Sequence, residues 1–328
     1  MRVRALPRKA RLAHDRAVAL FLGMSLSRTL TIYLPDGIID QAREGRHNFF
    51  NRVMAAVRGQ GWLVELRPDA LRERLLAAAS PGYGLCLMED PPVGQGLVCR
   101  HTYVGAFWHI ERSAKRWEWP VAKATFRPDE IDPVTARAFA AHWRRRLFKH
   151  AAEAPRREGF VFVPLQGMLL DHRSFQSMSP VEMLEVTLEQ IPHAPILATL
   201  HPKETYSPAE MQALEGLVAQ HPRLRVATGG AVEALAACDL VVTQNSAAAF
   251  NGYFFGKPAV LFAEIDFHHI AASVSRLGVV AAFRAAREAA PEYDRYLWWF
   301  LAGQSIAAGS PTAEAQILAA MRRGGWPI

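Results

Sequence analysis

The sequence predicts an α/β fold of two lobes, each a parallel sheet covered by helices, with a cleft between them. Three observations carry this. Short apolar, β-branched runs alternate with amphipathic helical stretches along most of the chain, the pattern of strands buried on both faces. The 328 residues, 50% of them hydrophobic, can bury two cores of ordinary size. AAEAPRREG at 151–159, carrying Pro155 and Gly159, reads as a hinge between the halves.

Residues 1–28 form a basic arm opening MRVRALPRKARLAHDR. The apolar run AVALFLGMSL after it spans about ten residues, well short of the roughly twenty that cross a bilayer. With no small-residue cleavage pattern before Arg28, it imitates a signal peptide without being one. The arm is a disordered or membrane-surface segment, or simply solvated charge.

Residues 29–155 form the first lobe. Leu30–Leu34 reads as a strand, Asn48–Gln60 as a helix with Phe49, Val53, Ala56 and Val57 apolar, and Trp62–Leu66 as a second strand, one βαβ-like unit. Leu71–Ala79 predicts a helix, Tyr83–Met88 a strand, and Leu97–Trp108 an aromatic strand pair or loop. ERSAKRWEWPVAKATF mixes charge with Trp117 and Trp119 and fits a surface or interlobe segment better than a core strand. Thr135–Ala151 is a basic helix.

Residues 156–290 form the second lobe. GFVFVPLQ, PILATLHP, LRVAT, LVVTQ and PAVLFA are strands; SPVEMLEVTLEQI and SPAEMQALEGLVAQHP are helices opened by Ser-Pro, and AVEALAACD and AAAFNGYFFG complete the alternation. Ligands of such sheets bind beyond the carboxyl ends of the strands. The polar residues fall at those ends: Gln166 and Asp171 after the first strand, His201 and Lys203 after the second, Gln244, Asn245 and Ser246 after the fourth, Glu264 after the fifth. Asn245 or Ser246 can cap the following helix, whose first-turn N–H groups suit an anion. In residues 291–328, YLWWFLAGQSI and AEAQILAAMRRGGWPI predict helices that pack back on the first lobe, or else form a dimer or membrane-facing patch.

The net charge of +7 points to an anionic partner. No aromatic RNA-binding signature or zinc-finger spacing accompanies it, which ranks nucleic acid low. Cys86, Cys99 and Cys238 have no metal-ligand spacing and make no disulfide framework, so a cytoplasmic location is expected.

VPLQGMLLD, TLHPKE and TQNSAAAFNGYFFGKPAVLF, over roughly residues 160–270, resemble the nucleotide-binding half of the capsule polysaccharide biosynthesis glycosyltransferases, the family of the bacterial β-Kdo transferases. The resemblance implies two Rossmann-like lobes of the GT-B type, a CMP-Kdo donor, a glycan or lipid-linked anionic acceptor on the first lobe, and no further cofactor. Peripheral association with the inner membrane through basic surface goes with it. The resemblance also places Asp171 at the reaction centre and His201 against the nucleotide phosphate. The chemistry is consistent, because transfer needs a carboxylate near the anomeric carbon and donors that offset charge on the departing phosphate. Lys203 and the amides at Asn245 and Ser246 can supply the latter, and Gln166 and Gln244 complete the expected nucleotide-sugar set. No Asp-x-Asp pair offers to hold a metal.

One position departs from the family pattern. Asn251 stands where a glutamate of Gly-Phe-Glu-Ala is expected to grip the nucleotide ribose; a charged acceptor there is roughly twice as strong as a neutral one. Two other classes therefore stay open: a catalytically silent sugar-binding or polysaccharide export protein, and a nucleotide-sugar epimerase. The epimerase would carry an acidic Asp-Ser-Gly-Gly where this chain has Asn-Ser-Ala-Ala. Glu204 reads as a solvated charge, and His268 and His269 as packing or surface groups.

Overall fold

The structure is a computed structural model and describes residues 28–78, 82–92, 95–152 and 155–328. The basic arm expected over 1–28 lies, Arg28 apart, outside the described residues. The fold is α/β with two mostly parallel sheets covered by helices. The chain divides into two compact units: the residues up to Arg100 with Trp108–Ala114 and Ala308–Ile328, and His101–Phe107 with Lys115–Ala307.

In the first unit β1 (Thr29–Leu34), β2 (Leu63–Pro68), β3 (Tyr83–Leu87), β4 (Gly96–His101) and β5 (Phe107–Glu111) lie in the order β5-β4-β3-β1-β2. β1 runs parallel to β2 and β3, and β3 to β4. The helix Asn48–Gly59 buries Phe49, Phe50, Val53, Met54, Ala56 and Val57, the stripe its sequence shows, and Phe49 stacks on Trp108 with ring centroids 4.1 Å apart. The end of the chain belongs to this unit. Arg52 pairs with Glu314 at 3.0 Å, and the Trp326 indole N–H donates to the Gln95 carbonyl at 3.0 Å.

The second unit holds a six-stranded sheet in the order β11-β10-β9-β6-β7-β8. Its strands are β6 (Val161–Pro164), β7 (Ile196–Leu200), β8 (Leu224–Thr228), β9 (Leu240–Thr243), β10 (Ala259–Leu261) and β11 (Ala272–Ser273), and every pairing is parallel. The order runs outward from β6 one way through β7 and β8, and the other way through β9, β10 and β11. The strand order therefore reverses between β6 and β9.

Alternation along the strands divides the core into two layers. Phe162, Val241, Ala259 and Leu261 face the helices Pro133–Phe148, Ala231–Ala237, Ala247–Tyr253 and Tyr293–Trp298. Val161, Val163, Leu240, Val242 and Val260 face Pro180–Gln190, Pro208–Gln220 and Val279–Glu288. Both Ser-Pro helices begin as their sequences imply: Ser179 with Glu182, and Ser207 with Glu210, form reciprocal capping boxes behind a proline in the first turn.

Two features depart from the sequence expectations. The helix Pro133–Phe148, assigned to the first lobe by the hinge at 151–159, groups with the second unit because it packs on Tyr293–Trp298. The segment around Trp119 is core rather than surface: Trp119 is 3% exposed and Val121 is buried with it, while Lys115 and Glu118 pair outside at 3.4 Å. Charged residues flanking the aromatics disguise this in the sequence.

Lys257 of the Gly-Lys-Pro motif is 1% exposed, and its ammonium donates to the Arg156 carbonyl. Burial pulls its pKa down. The lysine thus ties the segment before β10 to the segment before β6. Among the described residues no helix is long and apolar enough to cross a membrane.

Candidate functional site

The site is built where the strand order reverses, beyond the carboxyl ends of β6 and β9. Thr243 Oγ1 donates to the Pro164 carbonyl at 3.0 Å and locks these two ends together. The observed register pairs Phe162 with Val241 and Pro164 with Thr199. Continued past these pairs, it sets Leu165 opposite Gln244, and Gln166 between Asn245 and His201. The sheet thereby brings Gln166, His201, Gln244 and Asn245 onto adjoining strand ends.

Gln244 is 1% exposed. Its Nε2 donates to the Met178 carbonyl at 2.9 Å, which fixes the carboxamide's orientation and leaves Oε1 buried without a partner. Gln166 Oε1 on the neighbouring strand end is likewise buried and unpartnered. A buried acceptor left this way costs about 1–3 kcal/mol. Continued on the same alternation, Gln166 follows Phe162 and Gln244 follows Val242 onto opposite faces of the sheet, so each is a separate acceptor at the carboxyl edge. Asn245 Nδ2 reaches the Glu264 carbonyl at 3.5 Å. Ser246 Oγ accepts from the Ala248 N–H at 3.2 Å and caps the short helix Ala247–Tyr253. Asn251 lies within that helix, and its Oδ1 is also buried and unpartnered.

Asp171 sits on the long connection from β6 to the helix Pro180–Gln190 and is exposed, as are His172 and Arg173. The connection is tied down on both sides of Asp171. Leu169 N–H donates to Glu210 Oε1 at 2.6 Å; further on, Ser177 N–H donates to the Phe262 carbonyl at 2.7 Å, Phe175 accepts from Glu264 N–H at 2.9 Å, and Phe175 packs on Trp117 at 4.8 Å. The carboxylate is thus held on a fixed loop across the carboxyl edge, open to solvent.

His201 and Lys203 are exposed on the turn after β7. The His201 N–H donates to Tyr206 Oη at 2.8 Å, and Nδ1 accepts from the Lys203 N–H at 3.2 Å. With Nδ1 used as an acceptor, the neutral ring carries its proton on Nε2, a donor for an incoming anion.

Three features escaped the sequence reading. The Glu204 carboxylate lies over Gly167, where a Cβ would stand 2.6 Å from Glu204 Oε2, so that it joins the connections after β6 and β7. Glu210 serves both its own helix cap and the Leu169 N–H. Just past β10, the buried Asp266 accepts from Tyr103 Oη, which in turn accepts from Arg116 at 2.7 Å. Glu204 alone had a local signal, in the His-Pro-Lys-Glu turn.

His268 and His269 stack with ring centroids 4.4 Å apart, and His269 Nδ1 lies 3.0 Å from Tyr296 Oη. Burial first, and the neighbouring His268 second, push the His269 pKa down to about 4. The unfolded chain, with an ordinary imidazole near 6.5, binds this proton before the folded chain does. Stability is therefore expected to fall as pH drops from 6.5 towards 4, by on the order of 2–3 kcal/mol. Urea midpoints compared at pH 7 and pH 4.5 check this, and His269→Gln should flatten the slope. Among the described residues, no group of three or more His, Cys, Asp or Glu side chains is placed to hold a metal.

No protein-family model matches the chain. No curated protein matches it. Among solved structures it is similar to Thermosulfurimonas dismutans KpsC, beta Kdo 2,7 transferase, at 14% identity and a TM-score of 0.48, covering 89% of this chain and 99% of that one. It is also similar to the KpsC beta Kdo 2,4 transferase of the same organism, at 11% identity and a TM-score of 0.45, covering 82% and 89%. The UDP-GlcNAc 2-epimerase of Neisseria meningitidis bound to UDP-GlcNAc is similar at 9% identity and a TM-score of 0.34, covering 90% and 99%.

Proposed function

We propose that the chain is a nucleotide-sugar-dependent glycosyltransferase of surface polysaccharide synthesis, transferring Kdo from CMP-Kdo to a glycan or lipid-linked anionic acceptor. The observation that carries the reading is the pair of buried, unpartnered carboxamide oxygens of Gln166 and Gln244 on adjoining strand ends at the reversal point. A nucleotide sugar offers the hydroxyl and N–H donors that such acceptors require. The choice of CMP-Kdo rests on the resemblance of VPLQGMLLD, TLHPKE and TQNSAAAFNGYFFGKPAVLF to the β-Kdo transferase family.

In this reading the bond between the anomeric carbon of Kdo and the phosphate oxygen of CMP breaks, and an acceptor hydroxyl replaces the phosphate. His201 Nε2–H and the Lys203 ammonium offset the charge growing on the departing phosphate. Asp171 takes the acceptor proton if configuration inverts, or forms the covalent adduct if it is retained. Asn245 and Ser246 shape the phosphate side, and Asn251 offers a neutral amide to the ribose. Work on lipid-linked acceptors would take place at the inner membrane, with the basic surface as the means of association.

The test is calorimetric titration with CMP, UDP and GDP. Wild type is expected to bind CMP selectively, and His201→Ala to weaken it by roughly ten- to a hundredfold, the worth of one hydrogen bond to a charged group. Binding of none of the three, or CMP affinity unchanged by His201→Ala, would overturn the assignment.

A further inference from the structure

The second unit has a second concavity at the amino edge of its sheet, opposite the carboxyl ends used above. A cavity of about 360 Å³ opens there between the first residues of β6 and β9 and the last turns of the helices Pro180–Gln190 and Val279–Glu288. That volume falls within the range of small-molecule sites. Ile191, Leu240 and Ala286 supply an apolar floor, and Arg157, Arg287 and His193 stand on the exposed rim.

The charges on the rim are unequally used. Asp239, the acidic lining residue, accepts from the Gly159 N–H at 3.2 Å. Arg156 and Glu158 pair with each other at 3.0 Å. Arg157 makes no ion pair among the described residues, and neither does Arg287, whose Nη1 only reaches the Gln190 carbonyl at 3.5 Å. The lining of the apolar depression thus carries two arginines and one carboxylate, and that carboxylate already serves the backbone. Guanidinium groups are suited to bidentate capture of carboxylate or phosphate, and the floor can take an apolar body.

We infer that this cavity is a binding site for a small amphiphilic anion, an apolar chain or ring system bearing one carboxylate or phosphate head. The head is held by Arg157 and Arg287, and the body lies on Ile191, Leu240 and Ala286. The site is separate from the carboxyl edge, and its occupancy does not depend on the transfer reaction.

The experiment titrates the full chain by calorimetry with octyl phosphate and with octanoate, both below their micellar range, and with inorganic phosphate alongside. One amphiphile is expected to bind saturably with one site per chain, at least tenfold tighter than inorganic phosphate; whichever binds tighter assigns the head as phosphate or carboxylate. Arg157→Gln and Arg287→Glu, both at exposed positions, are expected to weaken that binding tenfold or more, with circular dichroism unchanged. Gln244→Leu is expected to leave it alone. No saturable binding, binding no tighter than inorganic phosphate, binding indifferent to both arginine variants, or binding lost in Gln244→Leu would each overturn the inference.

Discussion

Phe250→Ala is expected to destabilise the second unit by about 3–5 kcal/mol, the range for truncating a large aromatic in a packed core. Phe250 is 0% exposed. Its ring meets Tyr103 at 4.7 Å, Phe300 at 5.0 Å and Phe267 at 5.7 Å, so the vacated volume is walled by stiff rings that cannot collapse into it. Phe250→Leu, which keeps most of the volume, should cost much less. Urea denaturation followed by near-ultraviolet circular dichroism reads both. A loss under about 1 kcal/mol in Phe250→Ala would show that this aromatic cluster does not hold the unit together. The loss also bears on the site, since Phe250 belongs to the helix that Ser246 caps and that carries Asn251.

The largest expected change in binding comes from replacing both orphaned carboxamides. In Gln166→Leu/Gln244→Leu, two acceptors for the ligand disappear at about 1 kcal/mol each, which together weakens nucleotide binding by roughly thirtyfold. Folding stability should change little. The hydrogen bond from Gln244 to the Met178 carbonyl is lost, but two buried acceptors that had no partner are removed with it. Calorimetric titration and urea midpoints on the same preparation separate the two effects. A large fall in stability with nucleotide affinity unchanged would make these glutamines structural and remove the basis for a ligand site here.

The second unit was largely legible in the sequence because its rules are local. Ser179 and Ser207 announce their helices through Ser-Pro and a glutamate three residues on, and β-branched runs of four or five residues mark strands buried on both faces. From that alternation the carboxyl edge follows, and with it the neighbourhood of Gln166, His201 and Gln244. Contacts between distant positions were not legible. Tyr103 and Asp266 meet across 163 residues of chain, and nothing near either announces the other. The helix Pro133–Phe148 precedes the Pro/Gly hinge yet packs on Tyr293–Trp298 beyond it, with Ala136 and Ala140 buried. The sequence also cannot show that Gln244 spends its N–H on Met178 and keeps its oxygen in reserve. That fact depends on where the loop carrying Asp171 returns.

The most direct test of the central claim is the structure of the chain crystallised with CMP. The account predicts the nucleotide beyond the carboxyl ends of β6 and β9, with one of its hydroxyl or amino groups within hydrogen-bonding distance of Gln166 Oε1 or Gln244 Oε1. CMP bound elsewhere, or a carboxyl edge without CMP at saturating nucleotide, would contradict it.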